Sequence, residues 1–523
     1  MKLKLVRITK IICFCMVAVL MVGGLTDLLK PKWLENRWVS AKTNKSFYEL
    51  QDNSAEVVFF GASIISAAMD PFQLYEEQGI SSYNLGVMSQ PMIGTYYWFK
   101  EALKTQNMKL AVIEIKSAGR SSEKAEEKAR KSYDYMKWGK NKIQYALDYK
   151  DFHKEADGTD EEVDLWSYLF PLSLYHTRWS ELSYDDYDFF LGKNNSNTKG
   201  FSVLSTQFKN STSFDAEKEA KGKYDGFEVK SNDKETPNPI NEEYALKLIK
   251  EAKQQGVELL FVRTPDTTWH EDQHNYIQEL ADKNNIKFLD LNLKSNMDKM
   301  QFDYSEDAAD TVHVNILGAK KITKFVGQYI ADNYKLTDYR KTDNSIKKDF
   351  ESQKSNYQAA LNEGKLSLIT NFDEYLKAIN TDEYSVIITS GSNVRNITFT
   401  DSQKKTLISM GADEALFTDS TYGNNVICVL DGDNSKNKVK KQLEDNSKVT
   451  TLGGTLTCGT DYDITANSKG GTMRLNNSKY TGLISWGMNI IVYDKKLKEV
   501  ADTAFLHFEN NATVMHRGDI KVN

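Results

Sequence analysis

Short, mainly apolar runs rich in β-branched and aromatic residues recur along the first two thirds of the chain: Val57-Val58-Phe59-Phe60, Leu110 to Ile115, Val257 to Val262 and Ile286 to Asp290. Runs of this kind are strands buried on both faces, and segments of helical periodicity lie between them, such as Tyr96 to Leu103, Asn241 to Gln255 and His270 to Lys283. Buried strands alternating with helices predict an α/β fold built on a doubly wound parallel sheet. The alternation breaks at about residues 120–238, too long a gap for a plain loop, which predicts an insertion. Its aromatic run, Leu165 to Trp179, is suited either to stacking on sugars or to packing on the sheet, and His176, Arg178 and Trp179 are its candidate substrate-binding residues.

Beyond the sheet, residues 336–365 are charged with few large apolar positions and read as a helical linker. Residues 366–523 combine two short helices with many strand-like segments, which predicts a β-rich α+β domain. A chain of 523 residues is expected to divide in this way, because single cores stop growing at about 250–300 residues. The net charge of −6 gives no basic field for a nucleic-acid partner.

At the N-terminus, Lys2, Lys4, Arg7 and Lys10 precede an uncharged run from Ile11 to Leu25. As a helix this run spans only ~22 Å against a hydrocarbon core of about 30 Å. No Ala-x-Ala-like site follows it, so residues 1–30 are read as an uncleaved signal anchor with the rest of the chain outside the cytoplasm; a cleaved signal peptide is the alternative. In such a compartment Cys428 and Cys458 are candidates for a disulfide, the alternative being two buried thiols.

The chemistry centres on Ser63. Gly61-Ala62 gives a tight exit from the first strand, and Ser63 falls at its carboxyl end beside a helix N-terminus, where orphan N–H groups favour developing negative charge. A serine at such a turn is also a common cap. At the mouth of the last helix of the sheet domain stands Asp310-Thr311-Val312-His313, which offers a base and an acid to orient it. In a parallel sheet the two features converge on one edge. A competing motif, His270-Glu271-Asp272-Gln273-His274, fits the His-Glu-x-x-His pattern of a zinc protease. Its polar flanks and the lack of a downstream third ligand weigh against it, so neither metal nor cofactor is expected.

Together these residues resemble the SGNH, or GDSL-like, hydrolase family over roughly residues 55–335 apart from the insertion, within a domain of residues 34–335. Gly61-Ala62-Ser63 matches the nucleophile block, Tyr83-Asn84-Leu85-Gly86 the block whose glycine N–H joins the oxyanion hole, and Asp310-Thr311-Val312-His313 the Asp-x-x-His block. The resemblance implies a flavodoxin-like three-layer sandwich, with Ser63 as nucleophile, His313 as base, Asp310 as its orienter, and the Ser63 and Gly86 N–H groups as oxyanion donors. The family's Gly-x-Asn block is missing after the third strand, where Val112 to Ser117 has no asparagine. Asn84, Gln90 or Arg263 are the alternatives for the third donor, and Arg263 is also a candidate substrate-binding residue. An exported domain with this pattern is similar to the subgroup of the teichoic-acid D-alanyl transfer protein and the alginate-type O-acetylation factors. That implies transfer or hydrolysis of an acetyl or D-alanyl ester on a cell-envelope polysaccharide or exopolysaccharide, beside a membrane-bound O-acyltransferase. Residues 366–523 resemble the interleukin-like EMT inducer family through Phe372 to Leu376, Ser385 to Ile388 and Gly487 to Asp494. The Gly-x-Asn strand stands after the helices rather than before them, which implies a circular permutation; the resemblance further implies a glycan-binding module. A scaffold that keeps an eroded fold without catalysis is the competing reading of the whole chain.

Overall fold

A computed structural model describes residues 2–32, 40–119, 126–157, 163–192, 198–208, 224–341, 345–390, 397–412, 414–417, 424–432, 440–445, 449–467, 470–476, 478–484, 486–518 and 521–522. Parts of the insertion, among them 120–125 and 209–223, and three residues of the linker lie outside them. The chain divides into two compact units, Met1–Tyr357 and Gln358–Asn523.

The first unit is built on a five-stranded parallel sheet of β1 (Val57–Phe60), β2 (Ser82–Asn84), β3 (Leu110–Glu114), β4 (Glu258–Arg263) and β5 (Lys287–Asp290), in the spatial order β2-β1-β3-β4-β5. β1, β2 and β3 are buried at every position, which is why they carry no polar alternation. One face packs Val58, Phe60, Ala111, Ile113 and Phe261 under the Met92–Ala102, Pro239–Gln255 and Glu271–Asn284 helices. The Ile316–Asn333 helix, packed against the Ser63–Ala68 and Pro71–Gln78 helices, brings the apolar stripe Ile322, Val326 and Ile330 fully out of water, each side chain contributing about 1.5–3 kcal/mol. The strand order reverses between β1 and β3, with β2 on one side of β1 and β3 to β5 on the other, so a crevice opens at their carboxyl ends, where ligands of such sheets bind.

The linker region is less independent than its composition suggests. In the Ser345–Leu368 helix, Phe350 stacks on Tyr75 with centroids 4.1 Å apart, Tyr357 stacks on Phe72 at 4.3 Å, and the Tyr357 hydroxyl donates to Asp70. Asp70 also caps the Pro71–Gln78 helix through the Phe72 and Gln73 N–H groups. Burial pushes its carboxyl up to about 6, against the pull of these hydrogen bonds. The folded chain therefore holds this proton where the unfolded chain has released it. Its contribution is most favourable below about pH 4 and is lost as pH rises to about 6. Asp70→Asn keeps the cap and is expected to flatten that part of the pH dependence, measured by urea unfolding at pH 4, 5, 6 and 7.

An antiparallel six-stranded sheet, β15-β14-β13-β6-β7-β8, forms the second unit with a five-stranded one, β16-β12-β11-β10-β9. The strands are β6 (Tyr384–Ser390), β7 (Asn424–Leu430), β8 (Lys440–Asp445), β9 (Thr450–Thr455), β10 (Asp461–Asn467), β11 (Gly470–Leu475), β12 (Ser478–Thr481), β13 (Met488–Asp494), β14 (Glu499–Glu509), β15 (Ala512–Arg517) and β16 (Lys521–Val522). Ile387, Ile427, Val429 and Ile491 meet Ile464 and Met473 in one core. The opposite face of the first sheet, with Val386, Ile388 and Val426, packs on the Phe372–Ile379 and Asp401–Ser409 helices. This alternation overturns the disulfide expectation. Cys428 points into the helix-covered core, whereas Cys458 packs against the core between the sheets, and no bond joins them.

The N-terminal helix runs from Lys2 to Leu29, well past the apolar run read from sequence. Its Val6–Leu29 part, 24 residues, is long and apolar enough to cross a membrane. In the extension the Thr26 hydroxyl bonds back to the Val22 carbonyl at 2.7 Å, which satisfies its polar group in an apolar helix, and Asp27 pairs with Lys30 at 2.8 Å.

Candidate active site

β1 delivers its chain end into the crevice through Gly61, whose φ of +144° and proximity to β3 both require glycine: a Cβ there would lie 2.8 Å from Glu114 Cβ. Gly61→Ala is expected to cost about 1–3 kcal/mol and to displace Ser63, read as a lowered Tm together with a lowered rate of ester cleavage. Ser63 is the first residue of the Ser63–Ala68 helix and is partly exposed. The Ser66 hydroxyl donates back to the Ser63 carbonyl at 2.9 Å and holds this first turn.

Ser63 Oγ lies 2.8 Å from His313 Nε2, and His313 Nδ1 lies 2.8 Å from Asp310 Oδ2. With Nδ1–H donated to the carboxylate, Nε2 is left to accept the serine proton. Asp310 is fixed by accepting the Val312 and His313 N–H groups, both at 2.9 Å. Burial pushes its carboxyl up, but the hydrogen bond and charge of His313 and these two N–H groups more than offset that and hold it below the usual carboxylate value.

The loop bearing the pair is braced from several sides. Tyr304 Oη donates to the Thr311 carbonyl at 2.6 Å, the Thr267 N–H donates to the same carbonyl at 3.1 Å, and Ala308 bridges Val314. Asn315 caps the Ile316–Asn333 helix with its Oδ1, while its Nδ2 donates to the Thr206, Glu306 and Ala308 carbonyls. These supports escaped the sequence reading. Asn315 carried one visible signal, a cap residue directly before an apolar-periodic segment; Tyr304 and Thr267 carried none.

The oxyanion candidates fare differently. The N–H of Ser63, the first helical residue, has no acceptor within its helix, and the same holds for Ile64. Gly86 does not keep its place in this conformation, because its N–H donates to Asn84 Oδ1 at 3.1 Å. Its lack of a side chain serves packing: a Cβ would lie 2.5 Å from Ile65 Cγ2. Asn84 is fully buried and gives both amide hydrogens to the Ile65 and Met69 carbonyls, bracing the Ser63 helix rather than facing a substrate. Gln90 is also fully buried, with Nε2 on Thr95 Oγ1 at 3.2 Å. Between Gly86 and Gln90 the chain passes over Gly61, with the Val87 N–H on the Gly61 carbonyl at 3.1 Å, and Ser89 takes a left-handed φ of +55°.

Arg263 is likewise not a substrate contact. It has no exposed surface and lies between Glu114, 2.8 Å from Nη1, and Asp266. Burial alone would lower its pKa, but the two carboxylates reverse that. Burial would likewise raise Asp266, yet Arg263 and Lys116 hold it at about 2. This ionic knot lies at the β3 and β4 ends where the missing asparagine block was expected.

In the insertion, His176 Nδ1 bonds the Ser173 carbonyl, Arg178 ties the Leu29 carbonyl and Asp186, and Trp179 is exposed. These three residues stand at the foot of the N-terminal helix. The zinc motif is overturned by local geometry. His270 has extended backbone as the cap before the Glu271–Asn284 helix, so it does not share a helical face with His274, whose Nδ1 lies 2.8 Å from buried Asp290.

The arrangement is therefore a hydroxyl, an imidazole and a carboxylate in one hydrogen-bonded line at the switch point of a parallel α/β sheet. Comparison with family models and with curated proteins gave no match. Among solved structures, the chain is similar to one described as a "putative acylhydrolase" from Bacteroides fragilis NCTC 9343, at 11% identity and a TM-score of 0.25, covering 58% of this chain and 99% of that one. A likeness this distant carries no weight for the chemistry, which rests on the site itself.

Proposed function

We propose that the protein is a serine esterase or O-acyltransferase of SGNH type, held outside the cytoplasm by its N-terminal helix and acting on acetyl or D-alanyl esters of a cell-envelope or secreted polysaccharide. The observation that carries the reading is the continuous line Ser63 Oγ, His313, Asp310, with both links at 2.8 Å. In the first half-reaction His313 Nε2 takes the Ser63 proton as Oγ attacks the acyl carbonyl, and the imidazolium returns that proton to the leaving oxygen. Water or a sugar hydroxyl, deprotonated by the same nitrogen, then releases the acyl group. The choice of polymer and of a membrane-bound O-acyltransferase as partner rests on the resemblance of the Ser63, Asn84 to Gly86 and Asp310 to His313 blocks. By the same kind of resemblance the second unit binds glycan.

The engagement of Gly86 by Asn84 favours a second reading, a glycan-binding or scaffold protein that has lost catalysis. One experiment separates the two. Full-length protein in detergent is assayed on p-nitrophenyl acetate and on an O-acetylated polysaccharide. Turnover that disappears in His313→Ala supports the enzyme; equal, background-level release by both proteins supports the scaffold.

A further inference from the structure

A second concave region lies away from Ser63, at the foot of the N-terminal helix. There a groove of about 1310 Å³ runs between Ala18–Gly23 on the helix and the insertion. It exceeds the ~300–1,000 Å³ of ordinary small-molecule sites. Its far wall includes Trp138, Trp166, Phe170 and Phe190. Trp138 and Trp166 are 60% exposed, and Trp179 and Leu191 nearby in sequence are 72% and 58% exposed. So many large apolar side chains in one segment do not belong on a water-facing surface.

The helix is fixed to this segment. Lys30 Nζ donates to the Asp134 carbonyl at 3.2 Å, Tyr135 Oη to the Pro31 carbonyl at 2.8 Å, and Arg178 to the Leu29 carbonyl. The Leu172–Tyr175 and Tyr184–Phe190 helices pack along it. Measured back from Leu29, the Ala18–Gly23 wall lies about 9 to 16 Å along the helix axis. The headgroup layer of a bilayer is only about 5–8 Å thick on each side, so the groove reaches acyl-chain depth. Nearer the domain, Lys45 and Lys137 line the groove together with Lys30 and Lys142; of its acids, Asp27 is paired with Lys30, Asp134 is held by Arg130 and the Tyr175 hydroxyl, and Glu49 is exposed. Cations at headgroup depth above tryptophans at the interface are the arrangement by which proteins seat in a leaflet.

We propose that the insertion is a membrane-interface collar: its aromatic face sits in the leaflet that the N-terminal helix enters, and the groove takes a phospholipid, with acyl chain against Ala18–Gly23 and phosphate near Lys45 and Lys137. This rests on the helix being a retained anchor. The collar holds the first unit at a fixed height and tilt on the membrane, which brings an envelope substrate to it in a restricted orientation.

The test is tryptophan fluorescence of the full chain in nanodiscs of phosphatidylcholine and phosphatidylglycerol, with and without lipid brominated in mid-chain. Bromolipid is expected to quench the wild type, and Trp138→Phe/Trp166→Phe is expected to lose the larger part of that quenching, whereas Trp486→Phe loses none. Quenching of the double variant equal to that of the wild type overturns the collar and leaves that face for another membrane protein. Failure of the chain to enter nanodiscs at all overturns the anchor reading, and the collar with it.

Discussion

Ser63→Ala is expected to lower kcat for a small acyl ester by about 10⁴-fold or more while leaving Tm unchanged. The hydroxyl is the attacking atom, and Ser66, the nearest hydroxyl in sequence, is engaged elsewhere, donating to the Ser63 carbonyl beside Ser202 Oγ. His313→Ala is expected to match this loss, because the serine proton then has no acceptor. Asp310→Asn keeps the turn but presents a side chain that no longer stabilises imidazolium, which in a comparable triad costs about 10⁴-fold. Combining Ser63→Ala with His313→Ala is expected to add almost nothing to either alone, since the groups act as one unit. Steady-state rates on p-nitrophenyl acetate check all four variants.

Arg263→Met is expected to destabilise the first unit by about 3–5 kcal/mol, because it leaves buried Glu114 without the guanidinium it faces, while Asp266 keeps only Lys116. Arg263, Glu114 and Asp266 have almost no surface of their own, so water cannot replace the lost partner. Replacing Glu114 as well, with Glu114→Gln, is expected to recover most of the loss, since Asp266 keeps Lys116 and no buried charge is then left alone. Urea unfolding of the single and double variants measures the difference. Recovery in the double variant identifies uncompensated charge, rather than lost packing, as the cause.

How much of this was open to sequence reading depended on which physical rule set each position. The parallel sheet was legible because β1, β3 and β4 are apolar almost throughout and alternate with amphipathic helices. The approach of Ser63 to Asp310 and His313 follows from chain direction, since in a parallel sheet every strand end opens on one edge. The oxyanion donors were not legible, because whether the Gly86 N–H is available depends on where the Asn84 side chain folds back. Arg263 looked like a ligand for want of a partner. The signal that it was buried lay in Glu114, an acid inside an apolar strand, and in Asp266 three residues on. Cys428 and Cys458 looked like a pair until β-strand alternation put them against different cores. His270 and His274 have helical spacing, but the helix begins one residue too late to use it.

The most direct measurement is labelling of the full-length protein in membranes with a fluorophosphonate, followed by mass mapping of the modified peptide. A single adduct on Ser63 is expected, formed at a rate that falls sharply in His313→Ala and absent in Ser63→Ala. No adduct on the wild type, or one that persists in Ser63→Ala, would contradict it.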